Sequence, residues 1–110
     1  MKYLIEADRA ILKKESSGKT VIFKPCESGH VNILKYLIEQ GANINVINFE
    51  RETPLHKACE KGSLDIVKIL IEHGAKINEQ DIHKETPLHK ACEKGSLDIV
   101  KFLIEHGAKI

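Results

Sequence analysis

The chain has 110 residues, 42% of them hydrophobic and 30% charged, with a formal net charge of +1. That length suits one domain, and the composition is ordinary for a soluble globular protein. The near-zero charge excludes the strong basic field that draws nucleic acid or an anionic membrane surface, and no apolar run is long enough to span a bilayer.

The N-terminal "MKYLIEADRA" meets Glu6 and Asp8 before any long apolar stretch. No signal peptide is expected there, and the expected location is the cytoplasm. "KYLIE" at 2–6 returns at 35–39, and a step of 33 residues then organises the chain. It separates Thr20, Thr53 and Thr86, then Cys26, Cys59 and Cys92, then Gly29, Gly62 and Gly95. Residues 52–77 and 85–110 differ only where Ile69 becomes Phe102. A fixed period of this size marks a solenoid. The expected layout is a single domain over 1–110: a tail of a preceding or capping unit at 1–19, repeat one at 20–52, repeat two at 53–85 and a truncated repeat three at 86–110.

Repeat one, "TVIFKPCESGHVNILKYLIEQGANIN", is worn but in register. Pro25 stands where the later copies have Ala58 and Ala91. Near the fifth position of a helix it would remove a hydrogen bond and clash with the preceding turn, at roughly 3 kcal/mol. That helix is expected to be short or distorted, and repeat one to be the weakest unit. In repeat two, Thr53 is a good N-cap and Pro54 suits the first helical position, so a short helix is predicted over about 54–61. Gly62 stops it in a left-handed conformation. Ser63 is expected to cap a second helix over about 64–73, whose Asp65, Lys68 and Glu72 share one polar face. Leu64, Ile66, Val67, Ile69, Leu70 and Ile71 form an apolar arc too wide for a helix with one buried side, so neighbours are expected on several sides. Repeat three predicts the same pair again.

"TPLH" followed by Ala, Gly, "DIVKILIEHGA" and Asn resembles the ankyrin repeat, and the resemblance covers about 20–110. It implies an all-α solenoid of stacked antiparallel helix pairs, joined by connectors shaped as β-hairpin fingers. It also implies that the Thr53 and Thr86 hydroxyls and the His56 and His89 rings tie down local backbone. The fingertips depart from the family pattern: Arg51 and Lys84 stand where glycine is usual, which predicts strained turns or another turn type.

His56 with Cys59, and His89 with Cys92, lie at metal-ligand spacing on a helix. Each repeat supplies only two such groups, and packed helices sit about 10 Å apart, too far to pool them around one ion. The expected metal and cofactor are therefore none, with histidine bonded to backbone and cysteine filling the core. Three cysteines one repeat apart cannot bridge within the chain either, so the thiols are expected to be reduced. Glu72-His73 and Glu105-His106 close helices, where the dipole favours a histidine. No catalytic triad, phosphate-cradling loop or HExxH motif is present, and no enzyme is expected.

A stack offers one large resource, its concave surface. By the resemblance, the partner-binding positions are Phe49, Glu50 and Arg51 on one finger and Ile82, His83 and Lys84 on the next. Finger positions also include Ser16, Ser17, Lys19, Glu52 and Glu85. On the first helices the positions are Glu60, Lys61, Glu93 and Lys94, with Glu27 and Ser28 in repeat one. Phe49 and Ile82 are either anchors for a partner or packing between fingers. The expected partner is another protein, with no nucleic acid and no membrane. The alternative is a spacer segment of a longer array, which forms homo-oligomers through uncapped ends.

Overall fold

Thr53 and Pro54 open a helix where the sequence placed one. The computed structural model describes residues 21–110. The leading tail and the positions Ser16, Ser17, Lys19 and Thr20 lie outside the described residues. Six helices are described: α1 Phe23–Ser28, α2 Val31–Glu39, α3 Pro54–Lys61, α4 Leu64–Glu72, α5 Pro87–Lys94 and α6 Leu97–Glu105. Each odd-numbered helix packs on its even-numbered partner. The odd helices stack in one row, α3 lying between α1 and α5, and α2, α4 and α6 stack in a second row.

The core runs continuously through both rows. Cys26, Leu34, Ala58, Cys59, Ile66, Val67, Leu70, Ala91, Ile99 and Leu103 are fully buried. On α4 the apolar arc is used on several sides: Ile66, Val67, Ile69 and Leu70 are buried, while Leu64 and Ile71 are half-buried. Asp65, Lys68 and Glu72 face solvent together, as their spacing predicts. Each fully buried isoleucine or leucine contributes about 2–3 kcal/mol through the apolar area it removes from water.

Gly62 closes α3 with φ 79°, and its N–H reaches Ala58 and Cys59 carbonyls. Space beside this turn is also tight. A Cβ on Gly62 would come within 3.1 Å of the Lys94 side chain and 3.3 Å of Ser96 Oγ, both from the next repeat. The repeats therefore approach through their glycine turns.

Two expectations about helix starts need correction. Ser63 occupies the N-cap position of α4, but its side chain makes no capping hydrogen bond, and Ser96 behaves alike at α6. Their hydroxyls face the glycine turn of the preceding repeat instead, Ser63 at Gly29 and Ser96 at Gly62. Pro25 is the third residue of α1, not an interior one. The helix begins at Phe23, two residues later than its counterparts, and so leaves proline in the first turn, where a missing N–H costs nothing. The expected shortening is present, at six residues against eight.

The connectors contain turns, and no strand occurs among the described residues. Asn48 and Asp81, one period apart, organise the two tips. Asn48 Oδ1 accepts the N–H groups of Glu50 and Glu52, each at 2.9 Å. Asp81 Oδ1 accepts those of His83 and Glu85 at the same distance. A side-chain oxygen thus takes the N–H that a longer hairpin ladder would use. Arg51 and Lys84 have φ of 60° and 62°, the non-glycine residues with positive φ among those described. The strain expected from a side chain at the glycine position is present, on the order of 1–2 kcal/mol each.

Candidate interaction surface

The two fingertips are joined at the backbone, where Ile82 N–H donates to the Glu50 carbonyl at 3.0 Å. Phe49 is 74% exposed and Ile82 51%. Arg51, His83 and Lys84 are exposed beside them. Below Phe49 lies a cleft of about 300 Å³, lined by Phe23, Lys24, Glu27, Asn48, Phe49, Glu50 and Lys57. It runs between the finger of repeat one and the helices α1 and α3.

The helix positions form a separate group. Glu60 and Lys61, and likewise Glu93 and Lys94, are exposed and end α3 and α5. The fingers enter these helices at their other end, about 10 Å away at the helical rise per residue. Glu60 pairs with Lys57 at 3.4 Å, and Ser28 is exposed at the end of α1.

Glu52 and Glu85, placed on the fingers by resemblance, stand at the finger roots and share an ionic cluster. Glu52 is 5% exposed, with Oε1 3.0 Å from Lys57 Nζ and Oε2 3.7 Å from Lys90 Nζ. Lys90 Nζ also lies 3.0 Å from Glu85 and 3.4 Å from Asp81. Burial opposes the charge on Glu52, but hydrogen bonds from Asn48 and Lys57 and the two lysine charges overcome it, holding its carboxyl below the usual range. Burial likewise opposes ionisation of Asp81, and the Glu85 and His83 N–H groups with Lys90 pull its pKa below the ordinary value. Lys90 is the mirror case: burial would lower its pKa, and Glu85 and Asp81 raise it. The cluster joins repeat two to repeat three and fixes the roots of both fingers.

His56 performs the role its resemblance implies. Thr53 N–H donates to His56 Nδ1 at 3.1 Å, and His56 N–H donates to Thr53 Oγ1 at 3.3 Å. Nδ1 is therefore an acceptor, so the proton sits on Nε2, which donates to the Glu85 carbonyl at 2.9 Å. Burial depresses the pKa of this fully enclosed ring. With both nitrogens committed to backbone, His56 is not a metal ligand. Cys59 beside it is fully buried, and burial pushes its thiol up to about 12, as it does for Cys26. His73 Nδ1 donates to the Ile69 carbonyl at 2.8 Å and His106 Nδ1 to Phe102 at 2.8 Å, consistent with helix closure.

A second device links the repeats on the far side. Asn45 Oδ1 accepts Lys76 N–H at 2.9 Å, and its Nδ2 donates to the Gly74 carbonyl at 3.2 Å. Asn78 repeats both bonds with Lys109 and Gly107. The signal for these residues and for the lysines of the cluster was recurrence at the same period as the cysteines. What it could not supply was the partner in the neighbouring unit. Among the described residues no group of three or more metal-binding side chains converges, and no helix is long and apolar enough to cross a membrane.

The family model for ankyrin repeats (three copies) matches residues 46–110, and the model for a single ankyrin repeat matches residues 17–49. A search of curated proteins finds no match.

Proposed function

The chain belongs to the ankyrin-repeat family, and from that premise we propose that it is a non-catalytic module that binds a protein partner through its fingers and concave helix face. The observation that carries this reading is Phe49, a large apolar side chain 74% exposed at the rim of a cleft. Exposed aromatic groups beside a cavity are the usual anchors of protein interfaces. Ile82 holds the equivalent place on the next finger. Glu50, Arg51, His83 and Lys84 supply a mixed polar rim, while Glu60, Lys61, Glu93 and Lys94 extend the surface along the helix ends. The connectors act as hairpin-like fingers whose roots the ionic cluster holds still. No cofactor and no nucleic acid enter the reading, and it places the protein in the cytoplasm with reduced thiols.

The test is capture of binding partners by the parent chain and by a Phe49→Ser, Ile82→Ser double variant. The expected result is a partner retained by the parent and lost by the variant, at an unchanged melting temperature. Equal retention would refute the finger reading, and a large fall in melting temperature would return both residues to the packing.

A second reading is structural, as a spacer within a longer array whose open ends associate. The near-identity of 52–77 and 85–110 favours it, because a surface tuned to one partner diversifies its helices.

A further inference from the structure

We propose that the attachment of the second finger and α5 to α3 is an acid-sensitive latch, which opens while the equivalent attachment one period earlier stays closed. The latch acts whether or not the fingers bind a partner.

The same interface occurs twice inside the stack, since α1 packs on α3 and α3 packs on α5. Two equivalent positions differ in kind. The counterpart of His56 on α1 is Phe23, and the counterpart of Asp81 on the first finger is Asn48. Phe23 and Asn48 do not titrate, whereas His56 and Asp81 do. Asn48 and Asp81 make the same two bonds to their finger backbones. Asn48 adds a bond from Nδ2 to Glu52 Oε1 at 3.0 Å, while Asp81 Oδ2 lies 3.4 Å from Lys90 Nζ.

His56 ties α3 to the root of the second finger through the Nε2 bond to the Glu85 carbonyl, a bond that Phe23 cannot make. Its Nδ1 is taken by Thr53 N–H. A second proton must enter at Nδ1. There it displaces the Thr53 N–H and places a cation at a residue with 0% exposure. The charged groups facing the ring are Glu52 on the first finger, Asp81 on the second and Lys90 on α5. Glu85 pairs with Lys90, and Lys57 of α3 itself pairs with Glu52 and Glu60. On the helices packed to either side, Lys24 of α1, Asp65, Lys68 and Glu72 of α4, and His89 and Glu93 of α5 are exposed, and Glu27 is half-buried. Burial and Lys90 outweigh the two facing carboxylates, so the closed ring resists the second proton. An opened ring accepts it near pH 6.5, so the closed state loses stability as the pH falls below about that value. Glu52 braces both finger roots, and its contribution and that of Asp81 are complete above about pH 4–4.5 and lost below it. Above that range, the difference between the two interfaces lies in His56.

Each interface holds its own reporter. Cys26 on α1 and Cys59 on α3 are both fully buried. The experiment is labelling of the full chain with a dipyridyl disulfide, resolved by cysteine. Each rate is divided by that of the same cysteine in denaturant at the same pH, which removes the titration of the thiol itself. Between about pH 7 and about pH 5 the ratio at Cys59 is expected to rise about tenfold, as uptake of one proton by an opened imidazole allows, while the ratio at Cys26 changes less than about twofold. His56→Phe copies the first interface and is expected to flatten the response at Cys59. Asp81→Asn is expected to keep that response and to weaken only the further rise at lower pH. A ratio at Cys59 that does not change with pH would overturn the proposal. So would an equal rise at Cys26, which would mean that the whole stack unfolds together. A His56→Phe variant that keeps the rise would overturn it as well, and if that variant fails to fold, the comparison of Cys26 with Cys59 in the parent decides.

Discussion

His56 and His89 occupy identical local sequence and have different surroundings. His56 Nε2 donates to the Glu85 carbonyl, across a gap of 29 residues, and its ring is enclosed. His89 keeps the local bond, Thr86 N–H to Nδ1 at 3.1 Å, but its ring is exposed and its Nε2 has no partner among the described residues. His56→Ala leaves the buried Thr53 N–H without an acceptor and takes one of the two bonds from the Glu85 carbonyl, which keeps the Asp81 N–H, at an expected cost of about 1–3 kcal/mol. His89→Ala should cost less than about 1 kcal/mol. Denaturant unfolding of the two variants checks the difference, and equal costs would contradict it. The ionisable groups at the same junction set an acid response. His56 has a depressed pKa, so its contribution is complete above about pH 6.5 and declines as the pH falls toward its folded value. Glu52 and Asp81 are depressed too, and their contribution is complete above about pH 4–4.5 and is lost below it. Melting temperature is therefore expected to fall in two stages on acidification. A Glu52→Gln variant should show a weaker second stage.

At the scale of the helix, α3 was legible because its signals are local. Thr53 and Pro54 start it and Gly62 ends it, and the predicted limits of 54–61 are those observed. Helix α4 ends at Glu72, one residue short of the prediction, because His73 turns its ring back onto the Ile69 carbonyl. Helix α1 was less legible. Its first turn has neither a side-chain cap nor a Thr-Pro start, so the chain simply delays the helix until Pro25 falls where it is harmless. It follows that Pro25→Ala should change stability by no more than about 1 kcal/mol, not by the roughly 3 kcal/mol an interior proline costs. Thermal unfolding checks this, and a gain of the larger size would place Pro25 inside a longer helix. Ser63 was misread for a related reason. Serine before an apolar run is a local cap signal, but the preceding repeat's glycine turn claims the space around its hydroxyl.

For the whole molecule, position in the stack decides what sequence alone leaves open. The period exposed the repetition, and the resemblance of the motif at 53–56 and 86–89 pointed to the family, without any structure. It could not reveal the ionic cluster, because Glu52 and Lys90 lie 38 residues apart and meet only when the repeats stack. Nor could it decide between anchoring and packing for Phe49, since both use the same residue at the same place. The exposure of Phe49 follows from the turn that Asn48 builds beneath it. The three cysteines give the most direct view of the central claim, that neighbours and not local sequence set each residue's surroundings. Cys59 and Cys92 share the sequence "HKACEKG", yet one is buried with its thiol pushed up to about 12 and the other is exposed. The measurement is the rate of thiol labelling at each cysteine. Cys92 is expected to react at the rate of a free thiol, with Cys26 and Cys59 slower by at least about a thousandfold, since they react only through opening of the stack. Equal rates at Cys59 and Cys92 would contradict the account.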